Sequence, residues 1–267
     1  MMASSLAMLL LMCTTSTVVH RAHATVGERT ALTRPEGLGG TQVVSLYKWN
    51  VGIGIEDKYR AIEGFWNVTA GHFPVSEGGL TSTAGEDLGL LPYAYDFAVT
   101  LAVPDGGDFG ESTTRLSSHY EQVQPYIQAS HTLVYTSDRV AIARPTGKQL
   151  RHVCIYHFKA EVTGEMKLNA LLDLEGTVLN IPGVAHFSCG LDEERARSPH
   201  GAFGLVADFE VAEDFNSFFA DPSRLRMMQA LNPLLACRTC VDYWAPQDII
   251  AEEEGALAGA IELRRLH

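Results

Sequence analysis

Two short apolar segments carry the residues best suited to chemistry. In HVCIYHF (residues 152–158), β-branched and aromatic side chains argue for a strand, and the two-residue period of a strand puts His152, Cys154 and Tyr156 on one face. In RTCVDYW (residues 238–244) the same period groups Arg238, Cys240 and Asp242. A histidine whose tautomer is fixed by a carboxylate can serve as a general base. His152 and Asp242 are therefore a candidate catalytic pair, or simply a strand-end histidine satisfied by its neighbour. Arg224 offers a planar fork of N–H donors for a carboxylate or enolate oxygen, or else pairs with Asp221 on a helix surface. Cys237 and Cys240 form a lone Cys-x-x-Cys; residues three apart on a strand face opposite sides and no second ligand pair accompanies them, so no metal site is expected there. Ser118-His119-Tyr120 and Tyr126 form a second group, in which His119 is a base if it turns inward and a solvated helix residue if it does not.

The elements that must position these residues follow a recurring order. After the strand at 152–158, Met166, Leu168, Leu171, Leu172, Leu174 and Val178 read as the apolar stripe of a helix, ended by Pro182-Gly183. VAHFSCG and AFGLVADFE read as strands, a helix from about Ala212 to Leu235 is interrupted near Asp221-Pro222, and RTCVDYW closes the unit. The order β-α-β-β-α-β is that of a ferredoxin-like module. A fainter copy runs from QVVSLYKW through a helix at Glu56–Ala70, VSEGGLTST, AYDFAVTLAV, a helix at about Ser112–Ile127 and HTLVYTS. In that copy Gln42 falls opposite His152, Tyr95 opposite Phe203 and Phe97 opposite Leu205. The expected layout is a leader and linker at 1–40, a first repeat at 41–142, a linker at 143–150, a second repeat at 151–245 and an acidic tail at 246–267. An antiparallel sheet with helices on one face leaves its other face bare, so one module alone would expose a large apolar surface.

Residues 151–245, from RHVCIYHFK through AHFSCG, GAFGLVADFEVAEDF and ADPSRLRMMQALNPLL to CRTCVDYW, resemble the stress-response dimeric α+β barrel (Dabb) family. The resemblance implies an α+β fold of two ferredoxin-like (βαββαβ) repeats closing into an intramolecular pseudo-dimeric β-barrel. It implies a register with His152 opposite Asp242 and Cys154 opposite Cys240. It also implies a cavity between sheet and helices lined by Cys154, Tyr156, Phe203, Leu205, Ala207, Phe215, Phe218, Phe219, Asp221 and Cys240, suited to a small apolar or aromatic ligand; an ordinary core has the same composition. The family's best-defined chemistry is a polyketide cyclase using Tyr-x-x-His-Pro-x-His in its second helix. Here those positions hold Phe218, Asp221 and Arg224, and a guanidinium cannot shuttle a proton at neutral pH. The replacement set for a cyclase-like lyase would be His152, Asp242 and Arg224. Cys154 and Cys240 would form a disulfide in a secreted product, or remain two buried thiols.

The whole chain sets the bounds. At 267 residues with 46% hydrophobic and 19% charged residues it describes a packed globular protein, long enough for two modules. A net charge of −12 without a basic cluster argues against nucleic acid as a partner. The segment MMASSLAMLLLMCTTSTVVHRAHA has an apolar core too short to span a bilayer and a small-x-small site at Ala22-His23-Ala24. It reads as a cleavable secretory signal, with a plastid or other organelle leader as the alternative. No cofactor motif is present: Gly52-x-Gly54 lacks the rest of a dinucleotide fingerprint, and neither a P-loop nor His-Glu-x-x-His nor Gly-x-Ser-x-Gly occurs. The expected partners are a small ligand, the two repeats for each other, and a second chain through leftover edges.

Overall fold

Two β-α-β-β-α-β units follow one another in the computed structural model, which describes residues 39–70, 81–90, 95–104, 109–137, 149–192 and 201–245. The first unit is β1 (Gly40–Trp49), α1 (Ile55–Ala70), β2 (Thr81–Glu86), β3 (Phe97–Pro104), α2 (Phe109–Val123) and β4 (Ile127–Ser137). The second is β5 (Gln149–Phe158), α3 (Gly164–Val178), β6 (Val184–Leu191), β7 (Ala202–Phe209), α4 (Ala212–Ala220), α5 (Pro222–Leu231) and β8 (Leu235–Ala245). The expected leader, the linker up to residue 148 and the acidic tail lie outside the described residues.

Local chemistry explains the helix ends nearest the site. Thr163 caps α3 by accepting from Met166 N. The break between α4 and α5 is a cap rather than a kink: Asp221 accepts from Ser223 N and Arg224 N, and Pro222 occupies the first turn of α5, where its missing N–H costs nothing. After α3 the chain turns at Gly183, whose φ of +85° suits glycine. The buried set on α3 is Lys167, Leu174 and Val178, with Ala170 and Leu171 packed beside them. Met166, Leu168 and Leu172, expected in the stripe, are exposed. Leu171, Leu174 and Val178 keep their places in the stripe, while its first turn is filled by Lys167, whose stem lies in the core with its Nζ 5.9 Å from the Phe158 ring.

Each unit forms an antiparallel four-stranded sheet, in the orders β2-β3-β1-β4 and β6-β7-β5-β8. Helices cover one face of each. The other faces meet in a shared core of Val44, Leu46, Leu133 and Tyr135 from the first unit with Val153, Ile155, Val206, Val241 and Tyr243 from the second. Backbone hydrogen bonding keeps the sheets distinct: among the described residues no ladder joins them, so the pseudo-dimer is a stack of two sheets rather than one closed ring of strands.

The two sheets exchange tyrosines. Tyr135 of β4 reaches Ser188 of β6 through its hydroxyl (2.9 Å), and Tyr243 of β8 reaches Thr83 of β2 (2.7 Å). Each ring lies against a glycine of the opposite sheet: a Cβ on Gly190 or Gly204 would strike Tyr135, and one on Gly85 would strike Tyr243. Matching the two registers makes Tyr135 the counterpart of Tyr243, Ser188 of Thr83 and Gly190 of Gly85, so the exchange is reciprocal. The same match pairs Val43 with His152 and Phe97 with Phe203. The expected equivalences of Gln42 with His152, Tyr95 with Phe203 and Phe97 with Leu205 are therefore displaced along the strands. The one-residue slip at Gln42 puts that residue on the wrong face of its sheet, as any odd slip must.

A buried ion pair within the second unit reaches across this interface by hydrogen bonds. Arg151 holds Asp208 in a bidentate pair (2.6 and 2.7 Å), and its remaining Nη1 donates to Thr83 and Thr100 of the other sheet (2.6 and 2.8 Å). The guanidinium holds the Asp208 carboxyl well below the usual carboxylate range despite a burial that acts in the opposite direction. Removing one member strands the other: Asp208→Ala is expected to destabilise the fold by roughly 3–5 kcal/mol, read as a lower urea midpoint. In the wild type this contribution is complete above the unfolded carboxyl pKa of about 3.9 and fades as the pH falls towards the depressed folded value. The stability difference between wild type and Asp208→Asn should therefore shrink below about pH 4, which urea titrations across an acid series would measure.

Candidate functional site

Adjacent strands β5 and β8 build the site. Their register sets His152 opposite Asp242 and Cys154 opposite Cys240, as the family pattern implies. All four side chains lie on the helix-covered face. His152 is 2% and Asp242 0% exposed, and His152 Nδ1 is 2.6 Å from Asp242 Oδ1. A carboxylate only accepts, so His152 donates to it through Nδ1–H, and Nε2 is left facing the neighbouring strand position. That nitrogen sits 3.0 Å from Cys154 Sγ, and Cys154 is joined to Cys240 by a disulfide with Cα atoms 4.1 Å apart.

The first unit secures Asp242 from outside. Leu88 N donates to Asp242 O (2.8 Å), and Asp242 N donates to Asp87 Oδ1 (3.0 Å). Burial raises the Asp87 carboxyl above its ordinary range, opposed by this backbone hydrogen bond. The loop after β2 thereby satisfies the outer edge of β8 at the residue that orients His152.

A cavity of about 290 Å³ opens beside the pair, walled by His152, Tyr156, Phe219, Arg224, Met228, Arg238 and Cys240, with Leu225, Gln229 and Asn232 completing it. Arg224 is 7% exposed and lies over the rings of Phe218 and Phe219, 4.7 and 4.1 Å from their centroids. It makes no surface pair with Asp221, whose carboxylate is engaged as the α5 cap. Burial raises the Tyr156 phenol against the opposing pull of Arg224 and Arg238, so Tyr156 presents a neutral hydroxyl at pH 7.

Of the residues expected to form the site, His152, Tyr156, Phe219, Arg224 and Cys240 come together on the cavity wall. Phe203, Leu205, Ala207, Phe215, Phe218 and Cys154 belong to the hydrophobic core behind it. Arg238, Gln229 and Asn232 carry wall positions that sequence reasoning did not assign. Arg238 was discoverable, since it shares a strand face with Cys240 and Asp242; Gln229 and Asn232 depend on how α5 docks, which no local signal gives. The Cys-x-x-Cys is split as alternation requires, with Cys237 exposed and Cys240 buried. His119 does turn inward, but its Nε2–H donates to Ala61 O (3.0 Å) and its ring packs edge-on against Phe65, where Gly64 leaves room for it. Its role is to hold α2 to α1.

The fold defines a ferredoxin-like α+β module, paired here with a second one in the same chain. Residues 150–245 match the model of the stress responsive A/B barrel domain family, Dabb. No curated protein matches the chain significantly. Among solved structures it is similar to a candidate monooxygenase from Fusobacterium nucleatum (11% identity, TM-score 0.54, 79% of this chain and 94% of that one). It is also similar to a candidate monooxygenase from Lactobacillus acidophilus (12%, 0.50, 79% and 94%) and to an anthrone oxidase-like protein (10%, 0.53, 77% and 91%). At these identities the likeness is one of fold, and it spans both units. No described helix is long and apolar enough to cross a membrane.

Arg224 owes its position to the cap at the start of its helix. Asp221→Ala should cost roughly 0.5–2 kcal/mol of stability while Asp221→Asn keeps most of it, a contrast that thermal or urea unfolding will register.

Proposed function

We propose that the second unit binds a small, flat apolar or aromatic molecule carrying an acidic oxygen, and that the first unit is a diverged copy of the same module retained as its structural partner. The single observation behind the ligand class is the cavity wall, in which Arg224 lies over the rings of Phe218 and Phe219, and the exposed Arg238 stands at the wall beside the neutral Tyr156 hydroxyl. Guanidinium forks favour carboxylates and enolate oxygens, and the apolar remainder favours a ring. A volume of about 290 Å³ suits a ligand of one or two rings. The reciprocal tyrosine exchange supports the duplication, and the exposed Met166, Leu168 and Leu172 support further pairing of chains. A disulfide supports the reading of the leader as a secretory signal, since such bonds persist in oxidising compartments.

A second reading, a polyketide-cyclase-like lyase, is favoured by the buried His152–Asp242 pair. Against it stand Phe218 and Arg224 at the family's tyrosine and base positions, and the approach of His152 Nε2 to a sulfur. Monooxygenase activity, named for proteins of similar fold, has no residue-level support in this site.

The test is a native mass spectrum of the purified mature chain before and after denaturation, followed by titration with 1-naphthoate. Binding that weakens by about tenfold or more in a folded Arg224→Met variant is expected, as for loss of a charge-assisted hydrogen bond of ~1.5–3 kcal/mol. A bare mass together with no naphthoate binding would remove the ligand reading. Turnover of a cyclisable polyketide that disappears in His152→Ala would install the lyase reading instead.

A further inference from the structure

We propose that Cys154, Cys240 and His152 form a redox-gated site for a thiophilic metal ion of the Zn²⁺ class, closed by the disulfide and opened by its reduction. The donor atoms of these three buried residues all lie within 4.8 Å of one another. Two thiolates and one imidazole form a donor set preferred by zinc, and three protein ligands beside an open cavity match the pattern of zinc sites that keep a position for a small molecule. The proposal concerns the metal alone and holds whether or not the cavity takes an organic ligand.

Orientation is already provided. A metal-ligating histidine commonly donates its other ring N–H to a carboxylate, which fixes the tautomer and aims the free lone pair at the ion. Here Nδ1–H donates to Asp242 at 2.6 Å, and Nε2 faces the cysteine sulfur at 3.0 Å. Asp242 is thus a positioning residue, itself clamped by the loop bearing Asp87 and Leu88.

The gate obeys ordinary thiol–disulfide chemistry. Cys240 lines the cavity and is met first by an incoming dithiol. One sulfur of the dithiol attacks Cys240 Sγ, the bond to Cys154 breaks, and Cys154 leaves as a thiolate beside His152. The second sulfur of the dithiol then resolves the mixed disulfide and departs as its own disulfide. Two electrons and two protons have passed to Cys154 and Cys240. Metal uptake displaces those two protons.

The deciding experiment reduces the mature chain with a water-soluble phosphine without oxygen, removes the phosphine and titrates Co²⁺, with Zn²⁺ added for X-ray absorption. One equivalent of Co²⁺ should produce a thiolate-to-cobalt charge-transfer band that is absent from the oxidised protein and from Cys240→Ser. Zn²⁺ in the wild-type protein should show two sulfurs and an imidazole nitrogen, a reading that does not depend on the variant folding. Asp242→Asn should weaken Co²⁺ binding by roughly 10–100-fold. A disulfide that resists the phosphine in the folded protein, a band that survives in Cys240→Ser, or a zinc shell with fewer than two sulfurs would each overturn the site. Unchanged affinity in Asp242→Asn would overturn the role given to that residue.

Discussion

A four-stranded sheet covered by helices on one side has a second face that water cannot be left to cover, and the rest of this molecule follows from how that face is buried. Val44, Leu46, Val153, Ile155 and Val241 are almost wholly inaccessible only because the two sheets lie against each other. Burial of each such side chain is worth about 1.5–3 kcal/mol, so neither sheet is expected to stand alone. Joining both modules in one chain makes the pairing independent of concentration, unlike an assembly of separate subunits.

The pairing also builds the site. His152 and Asp242 belong to the second unit, but the outer edge of β8 at Asp242 is satisfied by Asp87 and Leu88 from the first. The interface and the site are thus two faces of the same strands. Odd-numbered residues of β5, such as Arg151, Val153 and Ile155, hold the sheets together, while His152, Cys154 and Tyr156 face the helices. Strand geometry permits this division because neighbouring side chains point to opposite sides.

Much of this was legible in the sequence because it depends on alternation. The strand faces, the pairing of Cys154 with Cys240 once the family register was adopted, and the break at Asp221-Pro222 all follow from local pattern or motif. What escaped was set by packing between elements. Lys167 disguised the buried stripe of α3 because its stem, not its charge, enters the core. Faint similarity in the first unit left its register without an anchor, so Gln42 was aligned with His152 rather than with Arg151. Phe215 and Phe218 could not be told from Phe219 by type; only the docking of α4 and α5 sends the first two to the core and the third to the cavity.

The Arg151 network has a further meaning when its counterparts are compared. Arg151 corresponds to Gln42, Asp208 to Ala102, and the acceptors Thr83 and Thr100 to Ser188 and Val206. If two second units met in the same manner, each Arg151 would find Ser188 and Val206 across the interface and lose one of its two hydroxyl acceptors. Two first units would have no guanidinium at all. The stack therefore discriminates against like pairing, in the way specific interfaces penalise a wrong partner by leaving a buried polar group unmatched. The two faces form a lock with different halves, in which each unit fits the other better than it fits a second copy of itself.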